Sequence, residues 1–344
     1  MNRIKSILLI LAVMFMPLNL LAAEGNGEEK GIDIPEIVLH HLSDAYEWHI
    51  AGDVSIPLPI IVRSSATGEW TFCTEKSLPG NFFFDESHHG KIYEKMPDGT
   101  TKRPLDLSLT KSVCQIWIVA IILIAVFLSV SRWYKKHDST SEAPKGFVGA
   151  MEMLVMYIHD DVIKACVGEK HYKKYAPYLL TVFFFILVTN LLGLLPIFPG
   201  GANVTGNINI TFFLALCTFL VTQFSGTKHY WKDIFWPEVP LALKAIPLMP
   251  VIEFVGIFTK PFALMIRLFA NMMAGHAIAL SITCVIFVAA TMGYGMLAGL
   301  GAVSMLMSVF MLTLECLVCF IQAMVFTQLS ATFIGLARIH PEEE

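Results

Sequence analysis

A single arginine, Arg267, stands inside a long apolar stretch and is the residue of this sequence best suited to electrostatic chemistry. Between Leu268 and Ala337 the chain has no lysine or arginine, and Glu315 is the only acidic residue. Placing a guanidinium in such surroundings costs about 3 kcal/mol on membrane-insertion scales. The group cannot avoid this cost by losing its proton. We therefore expect Arg267 to face a polar cavity or a charged partner and to be functional.

Four other polar residues accompany Arg267, and two of them can carry protons. His276 and Glu315 titrate in ranges that allow proton transfer near neutral pH after modest shifts. Asn271 shares a helix face with Arg267, and Gln322 shares one with Glu315. His276 lies about half a turn round the helix from Arg267, which predicts two polar compartments rather than one stripe. The alternative is that these side chains pair with one another only for stability.

Two long apolar segments, from about residue 252 to 292 and from about 296 to 336, must position these side chains. As helices they would each be about 60 Å long, which is twice the thickness of the hydrocarbon core. Helices of this length must be strongly tilted or broken. The turn between them is supplied by Gly293-Tyr294-Gly295.

An antiparallel hairpin about Tyr294 sets the polar residues of the two segments opposite one another. Residues equally far from the turn then face each other, so Arg267 falls level with Gln322 and His276 falls level with Glu315. The His276–Glu315 pair lies nearer to the turn. The spacing therefore predicts one proton-carrying pair and, at a different height, one arginine with a polar neighbour.

The composition of the chain, with 55% hydrophobic and 15% charged residues, indicates a membrane protein. The first span is followed by Arg132, Lys135 and Lys136, so the positive-inside rule places that end in the cytoplasm. The C-terminus is then cytoplasmic too, and the expected location is the cell inner membrane. Since about 20 apolar residues cross a bilayer, we predict five spans, at about residues 113–131, 176–196, 208–225, 250–292 and 296–336.

A cytoplasmic surface helix is predicted between the first two spans. Residues 142–175 have apolar side chains at helical spacing and several lysines, a pattern typical of an amphipathic helix that lies on the membrane surface.

The residues before the first span divide into two parts. Residues 1–23 resemble a signal peptide, with retention as an anchor as the alternative. Residues 24–112 are polar and mixed, which predicts a small exported, periplasmic α+β domain ahead of the membrane domain at 113–344. In this domain we expect an amphipathic helix over Pro35–Ile50. We also expect short strands over residues 54–60, 70–74, 81–84 and 91–95. A disulfide between Cys73 and Cys114 is possible, but sequence cannot fix it.

Several motifs resemble the signature of F-type ATP synthase subunit a. The strongest is the run from Lys260 to His276, which reads KPFALMIRLFANMMAGH. Supporting matches lie in the expected order: Pro177–Pro196, Asn207–Thr211, and the pair Glu315 and Gln322. Members of the family commonly have aspartate where this chain has Asn207, and some place the carboxylate before the histidine, whereas here the histidine comes first.

The resemblance implies a subunit whose long tilted helices pack against a rotating ring of c subunits, with two ion half-channels. Arg267 matches the essential arginine of the family, and Gln322 matches its polar neighbour. His276 and Glu315 match the pair in the exported-side half-channel. The expected partners are the c ring, the peripheral-stalk b subunits, the rest of the ATP synthase and the lipid bilayer. No nucleic acid is expected.

The sequence disfavours other classes of protein. A secondary transporter with an anion-binding arginine would usually show repeated spans, and none is evident. An intramembrane metalloenzyme would need a histidine motif that His276 lacks, and no nucleotide-binding loop occurs. We therefore expect no cofactor or metal and no enzyme activity of the chain alone. The His276–Glu315 pair favours H⁺ over Na⁺ as the transported ion.

Overall fold

The part of the chain that the structure describes combines a small domain of β-strands with five helices that are long and apolar enough to cross a membrane. This confirms the predicted polytopic helical fold. The computed structural model describes residues 44–51, 54–85, 91–96, 100–137, 143–195, 200–235, 248–291 and 293–338. The proposed signal peptide, residues 1–23, lies outside these ranges.

Short antiparallel strands build the N-terminal domain. They are β1 (Glu47–Ala51), β2 (Val54–Pro57), β3 (Ile60–Arg63), β4 (Trp70–Cys73), β5 (Phe82–Asp85), β6 (Lys91–Lys95), β7 (Thr101–Lys102) and β8 (Leu105–Asp106). Strands β1 and β2 form a hairpin, and the others form two three-stranded sheets in the orders β4-β3-β8 and β5-β6-β7. All of the pairings are antiparallel. The strands predicted near residues 70, 81 and 91 are thus confirmed.

The predicted helix over Pro35–Ile50 is wrong at its C-terminal end. Residues 35–43 lie outside the described ranges, but Glu47–Ala51 is the strand β1 and pairs with β2. The physical reason is burial with a period of two, since Tyr46 and Trp48 are both buried. Burial of alternate side chains is the strand pattern rather than the helical one.

Proline interrupts the strand predicted over residues 54–60, and this gives two strands in place of one. Strand β2 ends at Pro57, and β3 begins after Pro59, in a different sheet. Proline donates no backbone hydrogen bond, so β2 stays at the edge of its two-stranded sheet, as predicted. The proline-free strand β3 is central, and its Ile60 and Val62 are fully buried.

The described ranges contain six helices between the N-terminal domain and the C-terminal hairpin. They are α1 (Lys111–Lys136), α2 (Phe147–Met156), α3 (Ala165–Val167), α4 (Tyr172–Leu194), α5 (Ile208–Ser225) and α6 (Lys228–Phe235). A π-helical segment, Tyr157–Lys164, joins α2 to α3. The helix predicted over residues 142–175 is therefore confirmed only over residues 147–167, because Gly168, with a φ of 90°, ends the run and residues 172–175 begin α4. Of the apolar residues in the π-helical segment, Ile158, Val162 and Ile163 are buried.

The C-terminal hairpin consists of α7 (Leu248–Thr291) and α8 (Tyr294–Arg338). These helices have 44 and 45 residues, and each is continuous, although Pro261 lies inside α7. Of the two alternatives left by the sequence, tilted or broken, only tilt is consistent with unbroken helices of about 65 Å. Gly293 makes the turn with a φ of 103°, a left-handed conformation that suits glycine.

The chain divides into two compact units, which are described separately below. The first unit comprises residues 1–118, 192–204 and 274–315, and the second comprises residues 119–191, 205–273 and 316–344. His276 and Glu315 belong to the first unit. Arg267, Asn271 and Gln322 belong to the second.

Candidate functional site

The proton-carrying pair predicted from the hairpin comes together in the first unit. His276 lies on α7 and Glu315 on α8, with 3.5 Å between His276 Nδ1 and Glu315 Oε1. The side chains are largely buried, with 12% and 5% of their surface exposed. The proximity of these two residues is therefore confirmed, while their role in transport stays a prediction.

Polar atoms of this pair are buried without hydrogen bonds. His276 Nε2 and Glu315 Oε1 have no hydrogen-bond partner among the described residues. A buried polar atom left unpaired costs about 1–3 kcal/mol, and such atoms are rare in native structures. The arrangement suits a site at which protons or water are handed on, because Glu315 Oε1 can accept a hydrogen bond and His276 Nε2 can accept or donate one according to its tautomer.

Two glycines, which have no side chain, leave room for His276 and Glu315. A Cβ atom added at Gly275 would lie 2.9 Å from Glu315 Oε1. A Cβ atom added at Gly193, near the end of α4, would lie 3.1 Å from the carbonyl oxygen of Ala202 and 3.6 Å from His276 Nε2. The imidazole of His276 and the loop after α4 therefore both lie close to α4 at Gly193. Both glycines stand in the motifs quoted above, but no pattern of residue types indicates that they lie beside the pair.

Further contacts in the first unit hold the two arms of the hairpin in the predicted register. The hydroxyl of Ser304 donates to the backbone carbonyl of Ile282, and the hydroxyls of Thr283 and Ser308 lie 3.5 Å apart. These pairs, like His276 and Glu315, are nearly equidistant from the turn. The antiparallel register predicted from the positions of the polar residues is thus confirmed in this unit.

The guanidinium of Arg267 lies in the second unit on an exposed face of α7. Arg267 and Asn271 are both exposed, whereas Leu268 and Met272 on the other side of the helix are almost fully buried. Within the described ranges, the guanidinium makes no hydrogen bond or ion pair with another side chain. A cation placed in this way is available to a partner outside the chain.

Gln322 does not share the exposure of Arg267. It is buried on α8, with 5% of its surface exposed, and no hydrogen bond joins it to Arg267 in the described part of the chain. Other buried polar side chains of the second unit do pair: the hydroxyl of Thr218 lies 3.0 Å from that of Tyr178 and 3.3 Å from that of Ser330. Such hydroxyl contacts are typical of packing between membrane helices.

Comparison with known proteins gives a family for most of the chain. The model of the ATP synthase A chain family matches residues 113–335, and a model described as Domain of unknown function (DUF8433) matches residues 37–107. ATP synthase subunit a of Chlorobium phaeobacteroides is 39% identical over 328 residues, which cover 93% of this chain and 79% of that protein. ATP synthase subunit a of Chloroherpeton thalassium is 44% identical over 270 residues, covering 75% and 78%.

A third relative gives a similar result. ATP synthase subunit a of Anaeromyxobacter dehalogenans is 38% identical over 328 residues, which cover 92% of this chain and 74% of that protein. The family model matches residues 113–335, and this range covers nearly all of the five candidate membrane helices. The chain therefore belongs to the ATP synthase A chain family.

Proposed function

We propose that this chain is the proton-translocating subunit a of an F-type ATP synthase, a membrane-sector component with no enzyme activity of its own. In this function it provides two half-channels and a fixed cation beside a ring of c subunits, and it couples proton flow to rotation of the ring and to ATP synthesis. The observation that carries the proposal is the buried His276–Glu315 pair, 3.5 Å apart on the two arms of the hairpin, in a chain of this family.

Arg267 supplies the electrostatic part of the mechanism. A carboxylate on the ring must lose its proton when it passes this subunit, and a cation within a few ångströms favours the ionised form. Arginine does this without ever releasing a proton itself. Its permanent charge also repels a passing proton, which keeps the two half-channels apart. The exposure of Arg267 and Asn271 on one face of α7 supports this role, because the ring has to reach them.

His276 and Glu315 supply the proton pathway on the exported side. Imidazole and carboxyl groups exchange protons within the physiological pH range. His276 Nε2, on the side of the imidazole away from Glu315, makes no hydrogen bond to a described residue and can exchange a proton with a water molecule there. The pair favours H⁺ over Na⁺. Asn271 and Gln322 act as polar neighbours that hold water or orient the arginine. A transmembrane potential of 100 mV supplies about 2.3 kcal/mol for each elementary charge that crosses the membrane.

The orientation follows from the distribution of basic residues. Lys135 and Lys136 end α1, and the positive-inside rule places that end in the cytoplasm. The N-terminal domain then lies in the periplasm and the C-terminus in the cytoplasm of a cell with an inner membrane. Partners in this arrangement are the c ring, the peripheral-stalk b subunits and the remaining ATP synthase.

Measurement of ATP-driven proton pumping in inverted membrane vesicles tests the proposal. We expect Arg267→Ala to abolish pumping and Arg267→Lys to restore it only in part, because lysine lacks the planar guanidinium. Arg132→Ala is the matched control, since Arg132 is an exposed arginine near the end of α1, and it should pump like the wild type. Pumping at the wild-type rate by Arg267→Ala vesicles would refute the assignment. Pumping that requires added Na⁺ would refute the choice of ion.

A further inference from the structure

The N-terminal domain makes a direct hydrogen bond to the loop that follows α4. The indole N–H of Trp48, on β1, donates to the backbone carbonyl of Gly200 across 3.2 Å, and this contact is buried. A second bond reaches the same loop from the start of α1, where Gln115 Oε1 accepts from the backbone N–H of Ala202 at 2.9 Å. Trp48 is 3% exposed and Gln115 is fully buried. Both bonds lie within the first unit.

The start of α1 is tied to the same domain. The backbone N–H of Ser112 donates to Asp44 Oδ1 at 3.1 Å, and that of Lys111 donates to the carbonyl of Ala45 at 3.0 Å. Gln115 is one turn further along this helix. The domain therefore holds the loop both directly, through Trp48, and through the helix that carries Gln115.

The geometry of the loop requires its two glycines. A Cβ atom at Gly200 would lie 2.5 Å from the carbonyl oxygen of Leu192, and Gly201 has a φ of 82°. The N–H of Gly201 also donates to Leu192 at 3.2 Å. The loop is thus folded back closely onto the end of α4, where a side chain would not fit.

The loop lies beside the proposed proton pathway. The carbonyl oxygen of Ala202 and the Nε2 atom of His276 both approach the Cβ position of Gly193, at 3.1 and 3.6 Å. Ala202 and Val204 are buried. A displacement of the loop therefore changes the packing around Gly193, beside which the imidazole and its unpaired Nε2 atom also lie.

We infer that the N-terminal domain positions His276: Trp48 and Gln115 are positioning residues that hold the Gly200–Val204 loop on the end of α4, beside the imidazole, and so shape the exported-side pathway to Glu315. This inference rests on the proposed function of the pair. The N-terminal domain, which the model of unknown function matches at residues 37–107, then takes part in proton access to the pair. Because neither Trp48 nor Gln115 contacts His276 through an observed bond, their effect passes through the loop.

The inference is tested in the assembled ATP synthase with variants that each remove one of the observed hydrogen bonds to the loop. Trp48→Phe keeps an aromatic ring without the N–H, and Gln115→Met keeps the length without the acceptor. We expect each to lower proton-driven ATP synthesis per assembled complex about fivefold, the factor that corresponds to one hydrogen bond of about 1 kcal/mol. Trp70→Phe is the matched control, because Trp70 lies in β4 of the same domain and is exposed.

A double-mutant cycle with His276→Gln separates positioning from general support of the fold. If the loop acts through the imidazole, Trp48→Phe and Gln115→Met have no further effect in a His276→Gln background. In the wild-type background they also move the exported-side pH of half-maximal synthesis by about half a unit, equal to about 0.7 kcal/mol. Trp70→Phe leaves that pH unchanged.

Each remaining outcome has one meaning. If His276→Gln lowers synthesis but neither Trp48→Phe nor Gln115→Met does, the inference fails and the proposed function stands. Effects that simply add to that of His276→Gln also overturn the inference, since the domain would then only stabilise the chain. A His276→Gln variant with full activity would overturn the proposed function itself. If Trp48→Phe prevents assembly, Gln115→Met decides the question.

Discussion

Gly275 offers a substitution that separates proton transfer from stability. In Gly275→Ala the new methyl group would lie 2.9 Å from Glu315 Oε1 and 3.4 Å from its Cδ atom. Ordinary contacts of a Cβ atom lie at 3.4–4 Å. The carboxylate is the far end of a flexible side chain, so it can retreat by about 0.5 Å instead of breaking the helix packing. The expected result is a displaced carboxylate in an intact fold.

The size of the effect can be worked out from this displacement. A misplacement of 1 Å can cost a reacting pair about a hundredfold in rate, so a retreat of about 0.5 Å corresponds to about tenfold slower proton transfer. His276 and Glu315 already lie 3.5 Å apart, and the pair has no closer contact with which to compensate. Stability should change in the opposite direction, because alanine in a helix interior is favoured over glycine by about 0.5–1 kcal/mol.

Pumping and thermal stability of the assembled complex are measured side by side. Gly256→Ala is the matched control: it lies in the same helix, α7, and its added Cβ atom would meet nothing within 4 Å. We expect Gly256→Ala to pump normally and Gly275→Ala to pump about tenfold more slowly, with no loss of assembly in either. Normal pumping by Gly275→Ala, or a loss that parallels lower stability, would contradict a proton-transfer role for Glu315.

Two further predictions concern the proposed orientation of the chain and the stability of the N-terminal domain. A cysteine placed within Pro97–Thr101 should react with a membrane-impermeant thiol reagent in intact cells, and one at Glu343 should not; the reverse pattern would refute the orientation. Burial, followed by the hydrogen bond to Asp106, raises the pKa of Tyr46. The fold therefore favours the neutral phenol, and its stabilisation is complete below the unfolded value of about 10 and is lost as pH rises above it. Hydrogen-exchange protection of β1 should fall above about pH 10 in the wild type and be insensitive to pH there in Tyr46→Phe.

Hydropathy and charge were sufficient to predict the membrane helices and the register of the hairpin. Long apolar segments with a glycine turn leave few alternatives, and equal distance from Tyr294 was enough to bring His276 to Glu315. The same reasoning missed β1, because its five residues carry a weak pattern and the preceding residues suggested a helix. The bond from Trp48 to Gly200 joins residues 152 apart in the sequence, and no local pattern of residue types indicates such a contact.

The surroundings of Arg267 explain why a membrane helix can carry this cation on an open face. Ala263 and Ala270, one turn before and just under one turn after it, are also exposed on α7. Small residues let the backbones of neighbouring helices approach closely. A partner helix can therefore come near enough for the long guanidinium side chain to reach a carboxylate on it, whereas leucines at these two positions would hold that helix away. In the proposed function, the cost of placing the charge among apolar residues would be offset when an ionised partner carboxylate is present. An arginine that acts on a passing carboxylate has to meet this condition.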